Sequence, residues 1–249
     1  MVLMDIKGKT VLITGSTGKL ARTIVQAFAE SGANCIGIYN KNFQVAKELE
    51  NIVQTNGVRG LFVSADIAAR QGVEKVFAAI EKFDKPQILI NAAAIFNKMP
   101  LDEIGDEYAR QIFDVNFFAS LWMTQKFVEM LKKTNISQKP VGKIINMIDA
   151  TITRPPKKYC IYSASKAALA SATVSLAKEL APDFTVNAVA PGLIHWQPGM
   201  TEEQKAKMLA RIPAGRNGSP AEVVSAVKFL IENDYVTGRT ITPDGGWML

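Results

Sequence analysis

Short apolar runs rich in β-branched residues alternate along the whole chain with longer segments of helical periodicity. Such runs, apolar on both faces, predict parallel strands in a sheet that helices cover on both sides. With right-handed crossovers, the expected fold is α/β, a doubly wound parallel sheet of about seven strands. The predicted strands are 10–13, 35–38, 60–63, 87–90, 143–148, 185–189 and 239–242.

The segments between these strands repeat apolar residues at helical spacing. They predict helices over 20–30, 44–55, 72–83, 106–133, 159–180 and 221–232, with an irregular segment before the last one. The 249 residues contain no internal repeat, low-complexity tract or linker. We therefore expect a single domain over residues 1–249.

The composition argues against a metal site and against a serine hydrolase. Two cysteines, Cys35 and Cys160, and one histidine, His195, are scattered along the chain. A zinc site needs three or four ligands of these types, so no metal is expected. No G-x-S-x-G motif accompanies His195, which disfavours nucleophilic hydrolysis.

Charge and hydropathy favour a small anionic ligand. The net charge is +6, and the basic residues are scattered rather than arranged in a stripe, so we expect no nucleic-acid partner. No apolar run has the length of a bilayer span, so no membrane partner is expected. Residues 1–9 lack the apolar core of a signal peptide, and a cytoplasmic location is the expectation.

The turn after the first strand carries Gly15 and Gly18. Glycines let a backbone approach a pyrophosphate, and the following helix offers unpaired N–H groups at its start. The candidate phosphate-binding residues are Gly15, Thr17, Lys19 and Leu20. The alternative is a tight strand-to-helix turn without a ligand, but the turn's place in a repeating β/α pattern favours a dinucleotide.

The segment after the second strand reads Tyr39-Asn40-Lys41-Asn42. An acid there would bind the ribose 2′-hydroxyl of NAD, and none is present. Lys41, with Lys19 as a second cation, favours NADP(H). A merely solvated Lys41 is the alternative, because an exposed lysine needs no partner.

Two more strand ends supply candidate cofactor contacts. Asp66 and Ile67 follow the third strand and are placed to contact an adenine ring. Asn91, Ala92 and Ala93 follow the fourth, where small residues allow a flat cofactor against the backbone. Both stretches are also compatible with ordinary turn chemistry.

Tyr162 and Lys166 carry the sharpest chemical signal. Residues four apart lie on one face of a helix, so the lysine cation comes close to the phenol. A neighbouring cation is expected to lower the tyrosine pKa and make the phenol an acid–base catalyst. An isolated Y-x-x-x-K spacing arises by chance on exposed helices, but its position after the fifth strand favours catalysis.

Taken together, these motifs resemble those of the short-chain dehydrogenase/reductase family, and the resemblance covers essentially the whole length of the chain. The matching residues are Thr14-Gly15 with Gly18, Asp66, Asn91 to Ala94, Asn116, Tyr162 with Lys166, Pro191-Gly192, and Asp244-Gly245-Gly246. The resemblance implies a single-domain Rossmann fold, a nicotinamide cofactor and a homotetramer.

The resemblance also implies roles for individual residues. Tyr162 would be the proton donor, Lys166 would bind the nicotinamide ribose, and Asn116 would hold a water in a proton relay. Pro191, Gly192 and Leu193 would flank the nicotinamide, ahead of a substrate loop at about 193–218.

The sequence departs from the family at Asp149, where the catalytic serine normally stands thirteen positions before the tyrosine. An ionised Asp only accepts hydrogen bonds and would repel a forming alkoxide. It suits a substrate with N–H donors or a C=N bond that is protonated as it accepts hydride. Asp149 resembles the corresponding residue of pteridine and dihydromonapterin reductases, as does Lys19, whose position is often basic there.

The leading hypothesis is therefore an NADPH-dependent reductase of a pterin or folate, with Tyr162 as proton donor. Ile95, Phe96 and Trp196 would form the substrate pocket, although ordinary core packing explains such residues equally well. One alternative is a carbonyl reductase acting on a 3-oxoacyl thioester or a sugar. Another is a catalytically weak NADP(H)-binding scaffold, which the retained Asn116, Tyr162 and Lys166 disfavour.

Overall fold

The computed structural model describes residues 4–134, 140–197 and 199–249. Within these ranges a seven-stranded sheet has the order β3-β2-β1-β4-β5-β6-β7, and its six neighbouring pairs are all parallel. The strands are β1 Thr10–Thr14, β2 Asn34–Tyr39, β3 Gly60–Ser64, β4 Ile88–Asn91, β5 Gly142–Met147, β6 Phe184–Val189 and β7 Thr240–Ile241.

Helices connect the strands and cover both faces of the sheet. They are α1 Lys19–Glu30, α2 Phe43–Thr55, α3 Arg70–Ile80, α4 Asp106–Phe113, α5 Ala119–Lys132, α6 Cys160–Leu180, α7 Glu202–Leu209 and α8 Pro220–Glu232. Leu101–Glu103 and Ala150–Thr153 are short 3₁₀ helices, and Asp114–Phe118 is a π-helical turn between α4 and α5.

Alternating side chains of β1 show why the sheet is double-sided. Val11 and Ile13 belong to a core cluster with α1, α2 and α8, whereas Leu12 belongs to a second cluster with α3, α5 and α6. All three side chains are fully buried. Because successive residues of a strand face opposite sides, a strand covered on both sides must be apolar throughout. The predicted doubly wound, seven-stranded fold is confirmed.

The strand order reverses between β1 and β4, since β2 and β3 lie on one side of β1 and the later strands on the other. In open α/β sheets, ligands bind at such a reversal, outside the carboxyl ends of the strands. The fold therefore places the segments after β1, β2, β3 and β4 around one crevice.

The structure differs from the sequence expectation in two segments. The predicted helix 106–133 is two α-helices joined by the π-helical turn. The expected irregular segment, which includes the predicted substrate loop 193–218, contains α7, and residue 198 of that loop lies outside the described residues. No helix in the described ranges has the length and apolar character needed to cross a membrane.

Candidate active site

A groove of about 650 Å³ lies at the strand-order reversal. The predicted cofactor residues Gly15, Thr17, Tyr39, Asn40, Lys41, Asp66, Ile67, Ala92 and Ala93 line it, as does the predicted substrate residue Ile95. These residues come from four strand ends, so the structure brings together most of the cofactor site that the sequence predicted.

The floor of the groove is exposed backbone. Gly15 has a φ of +64°, and a Cβ there would lie 2.7 Å from the Cα of Ala93. The Thr14 hydroxyl accepts hydrogen bonds from the amides of Ala92 and Ala93, at 3.0 and 3.1 Å, which holds the two turns together. A side chain at position 15 would break this approach, so the glycine is needed for the groove itself.

The start of α1 faces the same groove. Its N-cap residue is Gly18, and no side chain caps the helix, so its first N–H groups are available to an anion. Lys19 is exposed at the first position, while Leu20 packs against the core. Partial burial lowers the pKa of His195, and the cations of Lys19 and Arg22 lower it further, which places His195 near this helix start.

The residues after β2 contain no acid. Lys41 is exposed, lines the groove and forms no ion pair with a described residue. Asn42 instead caps α2, its side chain accepting from the Val45 amide at 3.3 Å. Lys41 thus stands at this edge of the groove without an ionic partner in the part of the chain that the structure describes.

The sequence analysis did not predict one wall of the groove. Glu107, Arg110, Gln111 and Asp114 project into it from α4 and the turn that follows. Their spacing of three, four and seven residues from the first is that of one helical face. The sequence could have indicated this wall, because these polar residues lie on one face of a helix whose Ile112 is buried in the core.

Asn91 does not line the groove, although the sequence placed it among the cofactor residues. Its side chain is buried and donates to Asn146 at 2.9 Å, to the Thr124 hydroxyl at 3.2 Å and to the Ser120 carbonyl at 3.4 Å. These bonds tie β4 to β5 and α5. The side chain supports the sheet beneath the groove.

Tyr162 and Asp149 are in direct contact. The Tyr162 hydroxyl donates to Asp149 Oδ2 at 2.7 Å. Asp149 Oδ1 accepts from the Thr151 amide at 2.7 Å and from the Thr151 hydroxyl at 2.6 Å. The carboxylate that stands in the serine position therefore points at the phenol, and Thr151 is a partner that the sequence reasoning missed.

The electrostatics of Tyr162 contradict one expectation. Burial raises the pKa of the phenol well above its usual value, and the charge of Asp149 raises it further. The predicted lowering by Lys166 is wrong for this structure, because a buried phenol beside an acceptor carboxylate resists ionisation. The phenol is thus held as a proton donor.

Lys166 is fully enclosed and donates to the Met147 carbonyl at 2.7 Å. Burial lowers its pKa from 10.5 to about 8, partly offset by the charge of Asp149. Below pH 8 the folded protein must therefore hold a buried ammonium that water would solvate better. Stability rises as the pH passes from about 8 to 10.5, since only the unfolded chain then keeps that proton.

Replacing Lys166 with Met should consequently stabilise the ligand-free protein near pH 7. A shift of this size corresponds to about 3 kcal/mol, less about 1 kcal/mol for the lost hydrogen bond, so we expect a net gain of about 2 kcal/mol. Urea unfolding between pH 6 and 10 should show the gain shrinking above pH 8. Lys178→Met, on the exposed face of α6, is the control and should change stability little; a pH-independent gain at 166 would contradict the argument.

Asn116 lies in the π-helical turn and is fully buried. Its side chain accepts from the Ile95 amide at 2.8 Å, and donates to the Ile95 carbonyl and to the Ser165 hydroxyl, each at 3.1 Å. Ser165 in turn donates to the Tyr162 carbonyl at 2.7 Å. Asn116 therefore joins the strand end after β4 to the helix that carries Tyr162.

Two aromatic rings contact the ring of Tyr162. Phe96 is 47% exposed, stacks on Tyr159 with ring centroids 4.8 Å apart, and meets the Tyr162 ring edge-on at 4.7 Å. Gln197 donates to the Tyr159 hydroxyl at 3.0 Å, which links this cluster to the predicted substrate loop. Trp196, the other predicted aromatic, faces Lys205 of α7, with the ammonium 5.9 Å from its ring centre.

The Pro191-Gly192-Leu193 turn contacts the backbone at Ala150 and at Asp244. The Pro191 carbonyl accepts from the Ala150 amide at 3.2 Å, next to Asp149. A Cβ at Gly192 would lie 2.6 Å from the Cα of Asp244, so the close approach requires glycine. The turn is thereby held next to the backbone that follows Asp149.

Comparisons with known proteins show which family the chain resembles in sequence and fold. The profile of a family described as enoyl-(acyl carrier protein) reductase, one of the short-chain dehydrogenase profiles, matches residues 16–248. The chain is 31% identical over 250 residues to 3-oxoacyl-[acyl-carrier-protein] reductase of Vibrio cholerae, covering 98% of each chain. It is 31% identical over 266 residues to galactitol 2-dehydrogenase of Agrobacterium fabrum, covering 98% of this chain and 100% of the relative.

A solved structure gives the same result. A blue fluorescent protein from a metagenomic library, in complex with NADPH, superposes with a TM-score of 0.88 at 27% identity, covering 99% of this chain and 100% of the other. The family profile and these relatives identify the chain as an oxidoreductase. The chain belongs to the short-chain dehydrogenase/reductase family.

Proposed function

We propose that the protein is an NADP(H)-dependent carbonyl reductase acting on a small molecule. The observation that carries this proposal is the buried Tyr162 hydroxyl, held as a proton donor on the same helical face as Lys166. The relatives' names support it, since one is a 3-oxoacyl reductase and another a galactitol dehydrogenase, and both names denote carbonyl–alcohol chemistry. The carbonyl alternative is therefore preferred to the pterin hypothesis.

The groove fits a nicotinamide dinucleotide because its floor is backbone that a Cβ at Gly15 would block. When bound, reduced nicotinamide supplies a hydride to the carbonyl carbon. Tyr162 donates its proton to the carbonyl oxygen, which becomes a hydroxyl. The Lys166 ammonium, charged below about pH 8, offsets the negative charge left on the phenol.

Lys41 supports NADP(H), because it is the unpaired cation of the groove edge after β2. Lys41→Asp should lower kcat/KM for NADPH and raise it for NADH, changing their ratio by about 100-fold, since an attraction to the 2′-phosphate becomes a repulsion. Initial rates with each cofactor measure the ratio. Lys47→Asp makes the same charge change on the exposed face of α2 and should leave the ratio unchanged; equal effects of both would contradict a phosphate contact.

Reduction of a protonated C=N bond, as in a dihydropterin, is a second candidate. Asp149 favours it, because a carboxylate 2.7 Å from the proton donor stabilises a cation or accepts from an N–H group. The exposed Phe96 ring beside Tyr162 would suit a flat heterocycle.

The homotetramer and the cytoplasmic location stay predictions.

One assay separates the two candidates. Consumption of NADPH is followed with acetoacetyl thioester, acetoin and butanone on one side, and with dihydrobiopterin and dihydrofolate on the other. We expect turnover of at least one ketone. Turnover of the pterins alone would reject the carbonyl proposal, and tight NADPH binding without any turnover would favour the scaffold alternative.

A further inference from the structure

One oxygen of the Asp149 carboxylate accepts two hydrogen bonds from Thr151, and the other accepts one from Tyr162. Oδ1 takes both donors of Thr151, while Oδ2 accepts only from the Tyr162 hydroxyl among the described residues. The backbone on either side is fixed, since Ala150 is buried and its amide donates to the Pro191 carbonyl. The direction of Oδ2 is therefore set by the fold.

Catalysis requires Tyr162 to turn its proton away from this oxygen. When the phenol donates to a substrate carbonyl, Oδ2 of the half-buried Asp149 loses its donor beside a Tyr162 ring that is only 6% exposed. Lys166 is directed to the Met147 carbonyl. A polar atom left without a partner in such a site costs affinity, so the substrate itself is the group that can replace the lost donor.

We propose, building on the carbonyl reductase function, that the substrate is an α-hydroxy ketone and the product a vicinal diol. The carbonyl oxygen accepts from Tyr162, and the neighbouring hydroxyl donates to Asp149 Oδ2. The 2.7 Å between the two protein oxygens matches the spacing of vicinal oxygens, which lie about one hydrogen-bond length apart. Two donors and two acceptors are then paired.

The same hydroxyl resolves the electrostatic conflict at Asp149. A bare carboxylate would repel the alkoxide that forms as hydride arrives, whereas an intervening O–H directs its hydrogen at the carboxylate. In the balanced reaction, the ketone carbon gains a hydride from reduced nicotinamide and its oxygen gains the Tyr162 proton. Tyr162 recovers that proton from water, and the neighbouring hydroxyl is not consumed.

The test compares three ketones that differ at one position: acetoin, its O-methyl ether and butanone. The wild-type protein should reduce acetoin with a kcat/KM about 10- to 100-fold above the other two, because only acetoin brings a donor to a charged acceptor. Equal rates for all three would overturn the inference and leave the proposed function standing. Turnover of butanone or acetoacetyl thioester without turnover of acetoin would have the same consequence. If no ketone were reduced, both the inference and the proposed function would be rejected.

Variants assign the preference to Asp149. Asp149→Ala removes the acceptor, so the ratio of acetoin to its methyl ether should fall to within about threefold, whatever the residual rate. Asp102→Ala removes an exposed acid outside the site and should keep the wild-type ratio. Persistence of the preference in a folded Asp149→Ala, verified by NADPH binding, would overturn the assignment; if that variant does not fold, the wild-type comparison decides.

Discussion

Replacing Tyr162 with Phe should lower kcat by about 10²- to 10⁴-fold, because it removes the proton donor and leaves the rest of the site in place. The ring of Tyr162 packs edge-on against Phe96, and phenylalanine keeps that contact. KM for NADPH should stay within a fewfold of wild type, since the groove contacts of the cofactor residues are unchanged. Steady-state kinetics with the ketone that the substrate panel identifies will measure both constants.

Tyr159→Phe is the matched control for this variant. It also removes one phenol oxygen from a ring that contacts Phe96, but that oxygen accepts from Gln197 instead of donating to Asp149. Its kcat should change by less than about tenfold, because no proton of the reaction passes through it. If both variants lost activity equally, the aromatic packing rather than the Tyr162 proton would be responsible.

The groove was predictable from sequence because its parts are local. Gly15, Lys41 and Asp66 each come within two residues of the end of an apolar strand, and parallel strands bring their carboxyl ends to one edge of the sheet. Val11 and Leu12 pack into core clusters on opposite faces of the sheet, so both faces of the strand are apolar. This makes the strand recognisable in the sequence as a continuous apolar run. A rule about strand ends therefore recovers most of the groove without knowledge of tertiary contacts.

The parts that the sequence did not show depend on contacts between distant segments. The resemblance named Asn116, but its bond to the Ile95 backbone comes from a π-helical turn, which no periodicity of 3.6 residues reveals. The raised pKa of Tyr162 has burial as its main cause, and burial follows from how α6 packs rather than from the Y-x-x-x-K spacing. The spacing places Tyr162 and Lys166 on one face of α6, but it could not give the burial that decides the sign of the pKa shift.

Asp149→Ser should raise kcat/KM for butanone by about tenfold or more. A unit charge about 4 Å from the forming alkoxide costs several kcal/mol at an effective dielectric of about 20, and the substitution removes it. Serine also donates a hydrogen bond to the carbonyl, which an ionised Asp cannot do. Dihydropterin turnover, if the protein shows any, should fall in the same variant, because the stabilising charge for a cationic C=N bond is gone.

The same substitution should move the pH dependence in a definite direction. The charge of Asp149 raises the pKa of Tyr162, so its removal lowers that pKa and makes the phenol a stronger acid. The charge of Asp149 also raises the pKa of Lys166, which burial holds at about 8. The alkaline limb of a kcat/KM profile, where Lys166 loses its proton, should therefore shift to lower pH. Asp149→Asn keeps the size and removes the charge, so it should show the same shift; unchanged butanone rates and limbs in both variants would mean that the carboxylate does not act on the reacting oxygen.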